Sequence, residues 1–181
     1  MGAIHPAERA KLVVGMLAAS EHAFELARQA LCGCYGPVDL ESPIIPFTFT
    51  TYYDEQMGPN LLRKFLAFER LIDPAILADV KVRTNRLEGE LAAWISTAVP
   101  RPLNLDPGYV TPAKLVLAST KDFSHRIYLR DGIYAEVTLQ YEKGGTFGSW
   151  PWTFPDYKTS PEYHAFFAQA RTKCLDQLRG R

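Results

Sequence analysis

Residues Arg126–Tyr141, RIYLRDGIYAEVTLQY, are two alternating runs around an Asp-Gly pair, a pattern that constrains this part of the chain to an antiparallel hairpin. In the second run, Ile133, Ala135, Val137, Leu139 and Tyr141 alternate with Tyr134, Glu136, Thr138 and Gln140. In the first, Ile127 and Leu129 alternate with Arg126 and Tyr128. A two-residue Asp131-Gly132 loop would pair Arg130 with Ile133 and set Ile127 opposite Glu136, which mixes the faces. A three-residue loop, Arg130-Asp131-Gly132, pairs Leu129 with Ile133 and Ile127 with Ala135, with Gly132 in the left-handed position of a bulge. Only that register keeps one face apolar, and it is the one predicted. It sets Arg126 opposite Glu136 on a polar face, beside Ser124 opposite Thr138 and Tyr128 opposite Tyr134. His125 then points to the apolar side, opposite Val137.

Capping residues and proline divide the rest of the chain. KLVVGML (Lys11–Leu17) is a continuous apolar run, as expected of a buried strand. Ser20 offers an N-cap, Phe24, Ala27 and Leu31 recur at helical spacing, and Gly36-Pro37 ends the helix. IIPFTFTTYY alternates Phe47 and Phe49 against Thr48 and Thr50 and reads as a strand, with Pro43 and Pro46 pushing it to a sheet edge. Leu61–Ile72 reads as another strand. Asp73 caps a helix with Pro74 in its first turn, and Leu77, Val80, Thr84, Leu87, Leu91 and Trp94 form its apolar stripe. RPLNLDPGYV predicts a strand ending in an Asp106-Pro107-Gly108 turn, while Lys114–Ser119 fits either a short helix or a buried strand. Ser160-Pro161 starts a last amphipathic helix through Tyr163, Phe166, Phe167, Ala170, Cys174 and Leu178. The order strand–helix–strand–strand–helix–strand, then hairpin and helix, predicts an α+β fold with a ferredoxin-like split βαβ core, a C-terminal β-hairpin and an amphipathic helix, all in one domain over 1–181.

Composition removes several function classes. The formal net charge is zero, so the electrostatic basis for broad nucleic-acid or membrane-surface binding is missing, and neither partner is expected. The Cys32-Gly33-Cys34 spacing is too short for a zinc knuckle, and no ligand pair follows it, so no metal site is predicted. The apolar run near the start is too short for a secretory signal, no segment reaches membrane-span length, and free thiols fit a reducing compartment. A cytoplasmic protein is expected. The phosphate loop, the GxGxxG turn, the GxSxG elbow and the HExxH helix have no counterpart in the sequence.

What chemistry the sequence does offer gathers near the hairpin. Arg126 and Lys121 supply positive charge, Arg126 with a planar fork suited to oxyanions. Glu136 and Asp106 are candidate general bases or cation ligands, and His125 a candidate proton carrier. Against this, an exposed Arg126–Glu136 pair would contribute only about 1 kcal/mol. Tyr109 lies beside Asp106 at a predicted strand end. Lys81, Asn85 and Glu88 step along one helix face by four and three, bordering a cleft or simply facing water. Trp152 and Tyr157, in SWPWTFPDY, offer a stacking wall or a cover for the sheet.

The blocks DLESPIIPFTFTTYYDEQMG, FLAFERLIDP, LADVKVRTNRLE, NLDPGYVTPAKLVLASTKDFSHRIYL, GIYAEVTLQY and WPWTFPDY resemble a bacterial family known as domain of unknown function 4416. The resemblance covers nearly the whole chain. It implies a small, single-domain cytosolic protein and carries over no activity, cofactor or site residue. The leading expectation is binding of a small anionic or phosphorylated ligand, such as a nucleotide or sugar phosphate, with hydrolysis or transfer as an extension. The rival is a non-catalytic adaptor or homo-oligomerisation module. The sequence leaves the cofactor unknown.

Overall fold

A computed structural model of the chain describes residues 2–95 and 97–180. Every residue of strand β1 (Ala10–Ala18) is buried, and the layering of the molecule explains why. Leu12, Val14, Met16 and Ala18 pack on one face against helices α1 (Glu21–Tyr35) and α3 (Leu77–Ala92). Val13 packs on the other against helix α5 (Pro161–Leu178), through Phe166, Phe167 and Ala170. A strand covered on both faces needs apolar residues at consecutive positions.

The helices begin where the caps predict. Ser20 accepts from the Ala23 amide, Asp73 from the Ala75 amide and Ser160 from the Tyr163 amide. A single 3-10 turn, Pro74–Ile76, leads into α3. Trp94 lies beyond the end of that helix and is 75% exposed, so it does not belong to the apolar stripe.

The remaining strands are β2 (Val38–Glu41), β3 (Ile45–Pro46), β4 (Leu62–Ile72), β5 (Leu103–Val110), β6 (Lys114–Ser119), β7 (Ile127–Arg130), β8 (Ile133–Tyr141) and β9 (Phe147–Ser149). They form one sheet in the order β2-β4-β1-β5-β6-β8-β7, with β3 on β4 and β9 on β8, and each pairing is antiparallel. Short helices α2 (Asp54–Met57) and α4 (Pro155–Thr159) sit in the connections. No helix among the described residues is long and apolar enough to cross a membrane.

Of the two alternatives open for Lys114–Ser119, the strand is the one formed. Several expectations are corrected. The second strand stops at Pro46, and Phe47–Tyr53 is irregular up to α2, because Phe47 joins Leu17, Met57 and Leu61 in a cluster of its own. Asp106-Pro107-Gly108 is not a turn: β5 runs straight through it, with Gly15 opposite Asp106 and Val14 opposite Pro107. The β5–β6 ladder has only three rungs and begins at Gly108↔Leu117, so proline stands beyond its end and withholds no donor from it.

The hairpin combines both registers. Asp131 and Gly132 take φ of 53° and 73°, a two-residue primed turn that pairs Arg130 with Ile133. A bulge between Tyr128 and Arg130 then absorbs Leu129 and restores Ile127↔Ala135 and Tyr128↔Tyr134. The inward apolar row fails on this arm: β7 is an edge strand, and Ile127 is 71% exposed. On β8, Ile133, Ala135 and Val137 pack towards α3, but a second bulge around Thr138 turns Leu139 and Tyr141 to the α5 side. Residues 120–126 form turns rather than strand, so Ser124 pairs with nothing on β8, and His125 bonds Glu136 instead of facing the apolar layer.

Candidate functional site

Helix α5 covers only part of its face of the sheet. Over the rest lies a cavity of about 690 Å3, floored by Arg63 of β4, Asn104 and Asp106 of β5, Leu117 and Ser119 of β6 and Glu136 of β8. Loops roof it with Phe47, Phe49, Tyr52, Tyr53, Phe123 and Phe154.

Asp106 organises one end. Its Oδ2 accepts from Asn104 Nδ2 at 2.7 Å and Arg63 Nη1 at 3.2 Å, and Lys81 Nζ stands 3.8 Å from Oδ1. Burial pushes this carboxyl up, but Lys81 and Arg63 together outweigh it and hold it below the ordinary range. Asp106 is therefore a fixed anion. Arg63 reaches it from β4 across β1, where Gly15 leaves the space: a Cβ there would lie 3.3 Å from Arg63 Nη1 and 3.0 Å from the Phe65 ring. Burial opposes the charge of Arg63, yet the carboxylates of Asp106 and Asp156 beside it keep it firmly protonated. Burial raises Tyr157 well above its ordinary value and Tyr163 to about 12, so both phenols stay neutral, and neither hydroxyl has a hydrogen-bond partner among the described residues.

Lys81 comes from the opposite side of the sheet. It belongs to α3, which packs on the other face through Leu77 and Ala78, yet its ammonium donates to Leu105 O at 2.8 Å and lines the cavity. Since β5 and β6 are unpaired beyond Gly108, the side chain enters through the gap between them.

Arg126 organises the other end. Its Nε donates to Glu136 Oε2 at 2.8 Å, and Nη1 donates to Ser119 Oγ at 2.6 Å and to Lys121 O at 3.0 Å. The guanidinium lies over the Phe123 ring, 4.5 Å from its centroid, with Phe154 at 5.9 Å. The Arg126 and Glu136 side chains are 2% and 3% exposed, so this is a buried pair and not the solvated cross-strand pair. His125 Nε2 lies 3.2 Å from Glu136 Oε2, behind the carboxylate. Lys121 holds its ammonium 5.1 Å above the Tyr52 ring at the mouth.

Of the predicted residues, Glu136, Asp106, Arg126, Lys121, Tyr157 and Lys81 line the cavity together. His125 touches it only through Glu136. Trp152 stacks between Trp150 and His125, at 5.3 and 5.4 Å, outside the lining. Tyr109 faces α3 across the sheet because it is odd in register with Asp106, and Asn85 is exposed on α3. Glu88 stands one layer back, accepting from the Leu105 amide at 2.7 Å and from Arg101 at 2.9 Å; burial raises its carboxyl more than Lys81, Arg101 and the Leu105 amide lower it. Sequence reasoning missed Arg63, Arg101, Asn104 and Asp156. The available signal was Arg63 itself, a charge at the same strand parity as the core residues Phe65 and Ala67.

Sheet, helix layers and cavity define an α+β protein with a charged, aromatic-roofed cleft on one face of its sheet. The family model for domain of unknown function 4416 matches residues 8–173, and the chain belongs to that family. A search of the curated proteins gives no match.

Proposed function

We propose that this protein binds a small anionic or phosphorylated molecule in the cavity between Asp106 and Glu136. The observation that supports this most directly is the charge of the lining: Arg63, Lys81, Arg101, Lys121 and Arg126 against Asp106, Glu136 and Asp156, an excess of two positive charges, of which Glu88 behind the lining answers one at Arg101. The volume falls within the range of small-molecule sites, and the aromatic roof gives such a ligand an apolar cover. Asp106 and Glu136 act here as counter-ions that hold the cations in place, with His125 orienting Glu136. We assign them no bond-breaking step, because both are engaged by cations.

A thermal-shift series with inorganic phosphate, pyrophosphate, AMP, ribose 5-phosphate and divalent metals tests this. At a hundred times its Kd a ligand adds about 2.7 kcal/mol of stability, a rise of several degrees. If no anion raises Tm, the proposal fails.

The adaptor reading draws on a different observation, the exposed edge strand β7, where Ile127 is 71% and Tyr128 57% exposed. Self-association by light scattering, lost in Ile127→Lys, would favour it. We further infer a ferredoxin-like split βαβ core, supported by the order β2-β4-β1-β5 with antiparallel neighbours and by α1 and α3 on one face. Free Cys32, Cys34 and Cys174 support a cytoplasmic location, which cell fractionation tests.

A further inference from the structure

The two ends of the cavity differ in how completely their charges are met. At the Asp106 end, Arg63 faces Asp106 and Asp156, Lys81 faces Asp106, and Arg101 bonds Glu88. Three cations meet three carboxylates there. At the other end, Glu136 answers Arg126, and Lys121 has no carboxylate partner among the described residues. The unbalanced positive charge therefore resides at the Glu136 end.

Unused hydrogen-bonding capacity divides in the same way. The Nε and Nη1 hydrogens of Arg126 are committed, leaving the two on Nη2 without a partner among the described residues. Ser119 Oγ accepts from both Arg126 Nη1 and the Lys121 amide, so its own hydroxyl proton is left to donate. With the Lys121 ammonium this makes a cradle of donors, suited to a group whose oxygens only accept. At the Asp106 end the free capacity is of another kind. Among the described residues Asp106 Oδ1 accepts no hydrogen bond, although Lys81 stands nearby, and the Gln56 side chain lines the cavity without a partner. These groups suit neutral hydroxyls. Asp106 on β5 and Glu136 on β8 are separated by β6 and offset by two residues along the strands, because Leu117 stands opposite both Gly108 and Glu136, so their backbones are roughly 12 Å apart.

Resting on the anion-binding reading above, we infer that the ligand is a phosphomonoester of a hydroxylated skeleton, bound with one polarity. Its phosphate lies against Arg126, Lys121 and Ser119, and its hydroxyls reach Asp106 Oδ1 and Gln56.

Calorimetric titration of the full chain with inorganic phosphate, ribose 5-phosphate and ribose tests both halves. Ribose 5-phosphate is expected to bind at least about tenfold more tightly than phosphate, and ribose alone not measurably. Lys121→Gln, at an exposed position, is expected to weaken phosphate and ribose 5-phosphate alike by about tenfold, the loss of one charge-assisted bond. Arg126→Lys, which keeps the charge but not the fork, should weaken both in the same way. Gln56→Ala, also exposed, should weaken ribose 5-phosphate several-fold and leave phosphate unchanged. Melting curves establish that each variant is folded. Phosphate binding that survives Lys121→Gln and Arg126→Lys but falls in Gln56→Ala would reverse the polarity and overturn the inference while leaving anion binding intact. Ribose 5-phosphate no tighter than phosphate would overturn the hydroxylated skeleton. If neither anion binds the wild type, both this inference and the anion-binding proposal are lost.

Discussion

Gly108→Ala attacks the narrowest part of the sheet. A Cβ at Gly108 would lie 2.3 Å from the Val116 carbonyl oxygen and 2.6 Å from Leu117 Cδ2. The first contact is with backbone, so no rotamer change relieves it. Restoring ordinary contact requires β5 and β6 to separate locally by roughly 1 Å, which stretches their hydrogen bonds well past a useful length. Those strands share only three rungs, Gly108↔Leu117, Tyr109↔Val116 and Val110↔Leu115. Overpacking alone costs about 1–3 kcal/mol, and one or two weakened ladder bonds add about 1 kcal/mol each, so about 3 kcal/mol is expected in all. For a chain of this length that lowers Tm by about 6–12 °C. The assay is a thermal melt followed by circular dichroism, with amide exchange at Tyr109 and Val116 to locate the loss. Gly89→Ala is the control: it lies on the exposed side of α3 with nothing within 4 Å of the added methyl, and should gain about 0.5–1 kcal/mol. If Gly108→Ala melts within 2 °C of the wild type, the close approach of β5 and β6 does not constrain this position and the reasoning is wrong.

Three further outcomes follow from buried charges. Arg126→Met strands Glu136 inside the protein and should cost about 3–5 kcal/mol in urea unfolding; adding Glu136→Gln should recover at least about 1 kcal/mol of it, and strict additivity would show the pair is uncoupled. Asp106→Asn should cost about 1–3 kcal/mol at pH 7, discounted because the carboxylate faces the cavity. Since the folded protein holds Asp106 below its ordinary value of 3.8, the wild type's advantage is full above that pH and shrinks as pH falls through the folded value, so a gap that widens on acidification would refute it. Lys11→Met removes an ammonium bonded to Asp39 at 2.8 Å, Phe68 O at 2.9 Å and Gln177 Oε1 at 2.8 Å, and should cost about 3 kcal/mol with faster exchange at the C-terminal end of α5; unchanged exchange there would mean that Lys11 does not tether the helix.

The sequence carried local information well and non-local information poorly, and particular residues show where the line falls. Caps at Ser20, Asp73 and Ser160 act within three residues of themselves, so helix starts were legible. The bulge at Leu129 was not. Its stabilisation comes from the whole β6–β8–β7 ladder, and pattern alone offered either the loop or the alternation, whereas the fold takes the two-residue turn and repairs the alternation afterwards. Ile127 escapes for a related reason: alternation marks two faces, but only the strand order tells that β7 is an edge with no layer beneath it. The site divides in the same way. Arg126 and Glu136 lie ten residues apart across one hairpin, and their meeting was foreseen from spacing. Lys81 was foreseen only as a residue bordering a cleft from its own helix face. Its route to Asp106 depends on β5 and β6 parting after their third rung, where Ala118 and Ser119 stay paired to β8 but no longer to β5, and no spacing along α3 announces that. A buried lysine crossing a sheet is thus specified by what its neighbours lack, which is the kind of information that a reading of motifs passes over.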